Sequence, residues 1–195
     1  MARTSEIKRK TAETDIVVRL DLDGTGEGKI ETGIGFFDHM LQQIAKHGLL
    51  NLEIAAEGDL KVDAHHTVED VGICLGQAIK EALGSKEGIT RFASTTVPLD
   101  EALCLTSIDI SGRGSLGLDL DVKQEMIGEF PTDLVPEFFK ALAHNAGMTV
   151  HIRKISGENP HHIVEAAFKS FARAFQEAVS ITGRITGTPS TKGTL

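Results

Sequence analysis

Tryptophan and tyrosine are absent from these 195 residues, and nine phenylalanines supply the whole 5% aromatic content. The stacking platforms on which single-stranded nucleic-acid binders rely are therefore missing. Positive charge is scarce too: 20 Lys and Arg stand against 28 Asp and Glu, a formal net charge of -8 that a phosphate backbone would repel. No apolar run approaches the length of a membrane span, and the basic start MARTSEIKRK passes straight into an amphipathic strand pattern. These absences predict a soluble, cytoplasmic protein with no nucleic-acid partner and no membrane. The only cysteines, Cys74 and Cys104, lie in apolar patterns without CxxC spacing and read as reduced core residues. HExxH, GxSxG and Walker-type loops are also lacking, which leaves zinc-protease, serine-hydrolase and P-loop chemistry without support.

What is present is a 41% apolar content, enough for a sizeable core, and eight histidines, four of them in the adjacent pairs His65-His66 and His161-His162. Sliding the sequence on itself explains the pairing. At a shift of 96, residues 63–83 lie over 159–179, matching both His pairs, Val68 with Val164 and Glu69 with Glu165. At a shift of 98, residues 39–54 lie over 137–152, and at a shift of 88, LDLDGTG (20–26) lies over IDISGRG (108–114), with Glu13 falling on Glu101. The offsets drift because loops tolerate changes of length cheaply. Residues 1–97 and 98–185 thus read as two halves of one integrated domain, with 186–195 as a C-terminal tail.

Each half carries the same local signals. Ile16, Val18, Leu20 and Leu22 alternate with polar residues as a half-buried strand, and Gly24 and Gly26 suit a hairpin turn into a second strand. Residues 36–47 have helical spacing and stop at Gly48, a candidate C-cap, and Leu50, Leu52 and Ile54 alternate as a third strand. Residues 64–83 form a long amphipathic helix closed by Gly84. The expected fold is α+β: a duplicated ββαβα unit, its antiparallel sheets packed with four helices. The tail from Thr182 onward, rich in Gly, Thr and Pro, reads as a frayed terminus.

Within each HHxxE motif the first His and the Glu stand four residues apart on one helix face, while the second His points about 100° away. One motif therefore serves two metal ions: His65 with Glu69 on one and His66 on another, with His161–Glu165 and His162 dividing likewise. Nitrogen and carboxylate donors without sulfur suit Mn, Fe, Ni or Zn, and Mn best where several carboxylates contribute. The repeat nominates a further ligand pair, His39 and Glu137, at corresponding helix starts; an ordinary first-turn carboxylate is the other reading of Glu137. His47 and His144 are weaker candidates because their repeat partners, Asn145 and Lys46, are not matched ligands.

The segments VDAHHTVEDVGICL, GENPHHIVEAAFK, FFDHML, PLDEAL, SGRG and PSTKG, in this order from about Arg9 to the last residue, resemble the imidazoleglycerol-phosphate dehydratase family of histidine biosynthesis. The resemblance implies a hydro-lyase that removes water from imidazole glycerol phosphate to give imidazole acetol phosphate. It also implies a duplicated unit like the second domain of ribosomal protein S5, two Mn ions per chain, and a cubic 24-mer with active sites at subunit interfaces. Carried over, it puts His39, His66, His161 and Glu165 on one ion and His65, Glu69, His162 and the residue at Glu137 on the other. The resemblance implies His at the Glu137 position, so a carboxylate there is a departure from the pattern. Glu13, in KTAET, matches the group that moves the proton. The proton leaves a carbon beside the imidazole ring, with no carbonyl to acidify it, so a metal on a ring nitrogen would stabilise an imidazolate-like transition state. His39, His47 and His161, with Glu13, are expected against the substrate, and Arg91, Arg113, Lys169, Ser190 and Lys192 against its phosphate. A di-metal phosphohydrolase and a non-catalytic metal-binding assembly are the alternatives. The first would lean on Asp ligands, and the second would have no use for scattered cations or a poised Glu13.

Overall fold

In a computed structural model, which describes residues 2–195, the chain begins with an antiparallel hairpin of β1 (Thr4–Lys10) and β2 (Thr14–Asp21). Then follow β3 (Gly28–Glu31), α1 (Gly35–Gly48), β4 (Asn51–Gly58) and α2 (His65–Leu83). The sheet runs β1-β2-β4-β3, antiparallel except that β3 is parallel to β4. The same order recurs with β5 (Phe92–Leu99), β6 (Ala102–Asp109), β7 (Ser115–Asp119), α3 (Leu134–Ala146), β10 (Thr149–Ser156) and α4 (Pro160–Val179), which build the sheet β5-β6-β10-β7. A two-stranded ribbon, β8 (Met126–Ile127) with β9 (Phe130–Pro131), precedes α3.

The α+β class with four helices is as the periodicity predicts, with two differences in detail. Edge strands β1 and β5 precede each ββαβα unit. β1 is hidden from pattern reading because TSEIKRK holds a single large apolar residue, Ile7. Nor do Gly24 and Gly26 close a hairpin: β4 lies between β2 and β3, so the glycine segment crosses over it. The tail differs as well. The N–H of Gly88 donates to the carbonyl of Gly187 at 2.9 Å and an Arg91 guanidinium N–H donates to that of Pro189 at 2.8 Å, so the segment is pinned across 88–91, not frayed.

Helix α2 covers the first sheet and α4 the second, while α2 against α3 and α1 against α4 join the halves. The α2–α3 crossing is close because Gly72 and Gly76 have no side chain. A Cβ at Gly76 would lie 2.7 Å from the carbonyl oxygen of Leu142. Phenylalanine fills the space that the missing Trp and Tyr leave. Phe37, Phe138, Phe139, Phe168, Phe171 and Phe175 are buried and touch in a chain of ring contacts 4.7–5.8 Å between centroids. Both cysteines are buried here, and burial raises each thiol to about 11.

Candidate metal centre

Asn159 starts α4. Its side chain accepts from the backbone N–H of His161 at 2.9 Å and of His162 at 3.4 Å, and Pro160 supplies a first-turn residue with no N–H to satisfy. The cap fixes the His pair in the first turn, and their ring planes stand 82° apart, so the two imidazoles serve different directions. Four residues on, Glu165 Oε2 lies 3.0 Å from Nε2 of His161. Because α1 packs on α4, His39 reaches the same oxygen, its Nε2 also at 3.0 Å. Two imidazole nitrogens and a carboxylate oxygen thus converge within 4.8 Å. Phe36 packs edge-on against His161 at 5.2 Å, joining this group to the core.

Burial of Glu165 opposes its ionisation, but hydrogen bonds from Lys169, His39 and His161 outweigh that and hold its carboxyl at about 2. A buried carboxylate kept charged beside two imidazoles fits a divalent cation of the borderline class. The group opens on a cleft of about 730 Å³ whose lining includes Phe36, His39, Phe130 and His161. A slightly larger concavity, about 760 Å³, lies on the outer face of the first sheet, but its Arg19 is already paired with Glu6 and Glu53 and no imidazole lines it.

At the start of α2 the side chain of Asp63 accepts from the backbone N–H of His65 at 2.8 Å. His65 Nε2 stands 4.0 Å from Glu69 Oε2, on one helix face as the spacing requires. His66 turns away, its ring plane 86° from that of His65, and its Nδ1 lies 3.0 Å from Asp59 and 3.8 Å from Glu13. Glu13, Asp59 and His66 form the second convergent group. The hydrogen bond to Asp59 raises the basicity of His66. Glu13 is exposed at the β1–β2 turn, which Thr11 closes by accepting from the N–H groups of Glu13 and Thr14 at 3.0 and 2.9 Å. Buried Asp70 on α2 anchors the base of that turn, accepting from Thr14 Oγ1 at 2.6 Å and Arg9 Nε at 3.0 Å.

The remaining expected residues are dispersed. Nδ1 of His162 meets Glu101 at 2.7 Å, and Glu137, in the first turn of α3, faces Lys140 at 3.6 Å. Neither joins the His39 group within one chain, nor does His66. Lys169 sits 2.6 Å from Glu165 and neighbours His47, whose basicity is lowered by burial and then by Lys169 and Arg173. Arg91 is engaged by Asp109 at 2.8 Å and by Pro189, so here it holds the segment that carries Ser190 and Lys192. Arg113 stands exposed on the turn after β6, where Ser111 Oγ accepts from its N–H at 3.3 Å. Nδ1 of His144 lies 2.8 Å from the carbonyl of Lys140 in its own helix. Pattern reading missed Asp59 and Asp70. Asp59 lies just past β4 with no periodic signal, whereas Asp70 was detectable as a carboxylate at an inward-facing helical position.

Residues 32–175 match the imidazoleglycerol-phosphate dehydratase family. The chain is 56% identical over 193 residues to the imidazoleglycerol-phosphate dehydratase of Desulforamulus reducens, covering 99% of this chain and 98% of that one. It is 57% identical over 195 residues to that of Alkaliphilus metalliredigens, with both chains fully covered. Among solved structures it is similar to the Staphylococcus aureus imidazoleglycerol-phosphate dehydratase, with a TM-score of 0.84 and 37% identity over 92% of this chain and 99% of that one. The Pyrococcus furiosus enzyme, in complex with (S)-C348, gives a TM-score of 0.83 and 39% identity over 97% and 100% of the two chains. Paired imidazole–carboxylate motifs on two corresponding helices, set in a fold shared along the whole chain, make this a member of the imidazoleglycerol-phosphate dehydratase family, hydro-lyases of histidine biosynthesis.

Proposed function

We propose that dehydration of imidazole glycerol phosphate here uses two Mn ions per chain, with His39, His66, His161 and Glu165 holding one and His65, Glu69, His162 and Glu137 the other. The observation that carries this reading is the convergence of His39 Nε2 and His161 Nε2 on one oxygen of a buried, charged Glu165, each at 3.0 Å. When bound, the metal supplies Lewis acidity toward the substrate's imidazole nitrogens. Glu13 moves the proton. Its exposed carboxylate sits on a turn anchored by Thr11, Thr14 and Asp70, so it is held in place without being consumed by an ion pair with Lys or Arg. Arg113, Lys192 and Ser190 bind the phosphate, Arg91 keeps the segment 187–190 in register, and Lys169 keeps the field beside Glu165 positive, which together with burial favours the neutral form of His47 against the substrate.

His66 and Glu137 lie outside the His39 group of their own chain, which supports closure of both ion sites by a neighbouring subunit in a 24-mer whose active sites lie at its interfaces. Among the described residues no helix is long and apolar enough to cross a membrane; a cytoplasmic location is part of the same proposal. Glu13→Gln tests the base separately from the metals. The amide keeps the shape, so the substrate should still bind while kcat falls at least about a hundredfold. Wild-type kcat in this variant would remove Glu13 from the mechanism and turn attention to its repeat partner, Glu101.

A further inference from the structure

Each imidazole of the two HHxxE motifs meets a carboxylate, and the ring nitrogen involved sorts these carboxylates into two kinds. Glu165 faces Nε2 of His39 and His161, and Glu69 faces Nε2 of His65. Asp59 and Glu101 face the opposite nitrogen. Both oxygens of Asp59 lie at 3.0 and 3.2 Å from Nδ1 of His66, and Glu101 Oε2 lies 2.7 Å from Nδ1 of His162.

A neutral imidazole has one N–H and one lone pair, and an ionised carboxylate only accepts. A carboxylate against Nδ1 therefore keeps the proton there and leaves the lone pair on Nε2. We infer that Asp59 and Glu101 are positioning residues that fix the Nδ1–H tautomers of His66 and His162, so that both rings offer Nε2 to a metal ion. The inference rests on the metal-dependent reading above. All five motif and α1 imidazoles then present the same nitrogen, with co-ligand carboxylates on the Nε2 side and orienting carboxylates on the Nδ1 side. Glu101 is itself held in place, its Oε1 accepting from the backbone N–H of Asn159 at 2.9 Å and of Glu158 at 3.3 Å, in the loop that leads into α4. The nearest carboxylate to His162 Nε2 is Asp100 at 3.9 Å, beyond hydrogen-bond reach.

The duplication sharpens the assignment. Glu13 and Glu101 correspond in the repeat, as do His66 and His162. In the second half the glutamate makes the Nδ1 contact. In the first half Asp59 makes it, and Glu13 remains 3.8 Å away. One ancestral position thus carries two tasks, an orienting carboxylate in one half and a free one in the other.

The test uses the full-length, histidine-¹⁵N-labelled chain, chelated and sedimented for solid-state NMR at a pH where both rings are neutral, together with calorimetric titration by Zn²⁺. Wild-type protein should show His66 and His162 as Nδ1–H imidazoles, beside His144, whose Nδ1 faces the Lys140 carbonyl and serves as an internal reference. Glu101→Ala should convert the His162 signal, assigned with His162→Gln, to Nε2–H and weaken one class of metal site about 10–100-fold, with Glu101→Asp restoring most of the affinity. A merely structural role for Glu101 would lower stability without moving the tautomer. An Nε2–H His162 in wild-type protein, or Glu101→Ala that binds both ions as wild type does, overturns the inference. Wild-type protein that takes up no Zn²⁺ overturns instead the metal reading beneath it, and does so before any variant is compared.

Discussion

Glu137 is the residue at which repeat and geometry pull apart. The repeat sets it opposite His39, yet within one chain its carboxylate faces Lys140 and meets no imidazole. If it completes the second ion site across an interface, Glu137→Ala should lower metal content per chain and Glu137→His should keep much of the activity, since imidazole also suits this ion class. A helix-start carboxylate would instead lose about 0.3–1 kcal/mol on replacement by Ala and leave metal content unchanged. Metal analysis of the two variants separates these outcomes. At this scale the sequence made the candidate ligands legible and hid the carboxylates that face two of them. The His pairs declare themselves by recurring at one spacing in both halves. Asp59 and Glu101 sit in connections with no period to mark them, and their role depends on which ring nitrogen they meet, a fact that exists only in three dimensions.

Among the elements, the two shorter helices end differently in corresponding places. α3 closes at Gly147 with φ 65°, whereas α1 runs through Gly48 and closes at Leu49 with φ 54°, a left-handed position that an L side chain occupies at a cost. Leu49 is 44% exposed, so it contributes little burial in compensation. Leu49→Gly should raise stability by about 0.5–1 kcal/mol after the entropy that glycine adds to the unfolded chain, as measured by denaturant unfolding of the chelated protein. The helical spans 36–47 and 64–83 were readable within a residue or two because a 3.6-residue apolar period bounded by glycine needs no tertiary information. The strand order was not readable. Inserting β4 between β2 and β3 pairs strands far apart in sequence, which no local period encodes, and β1 has no apolar face to announce it.

For the whole molecule, the described residues of one chain present two convergent groups, neither holding a full ligand set: His39, His161 and Glu165 in one, and His66 with the Asp59 that faces its Nδ1 and the nearby Glu13 in the other. His65, Glu69, His162 and Glu137 gather into neither. Ions that bridge subunits would bind the assembly better than the free chain and so stabilise it by mass action. Chelation should therefore shrink the particle in analytical ultracentrifugation, and Mn²⁺ should restore it; a size unaffected by chelation would count against metal at the interfaces. Absence of Trp and Tyr did not limit the fold, because buried phenylalanines carry the core and Phe36 links it to His161.

The account stands or falls on metal. The direct measurement is dehydration of imidazole glycerol phosphate by exhaustively chelated protein, followed through back-titration with Mn²⁺ while bound ion per chain is counted. Two complementary ligand sets predict no turnover without metal and recovery that completes at about two ions per chain. Full activity in metal-free protein would contradict it.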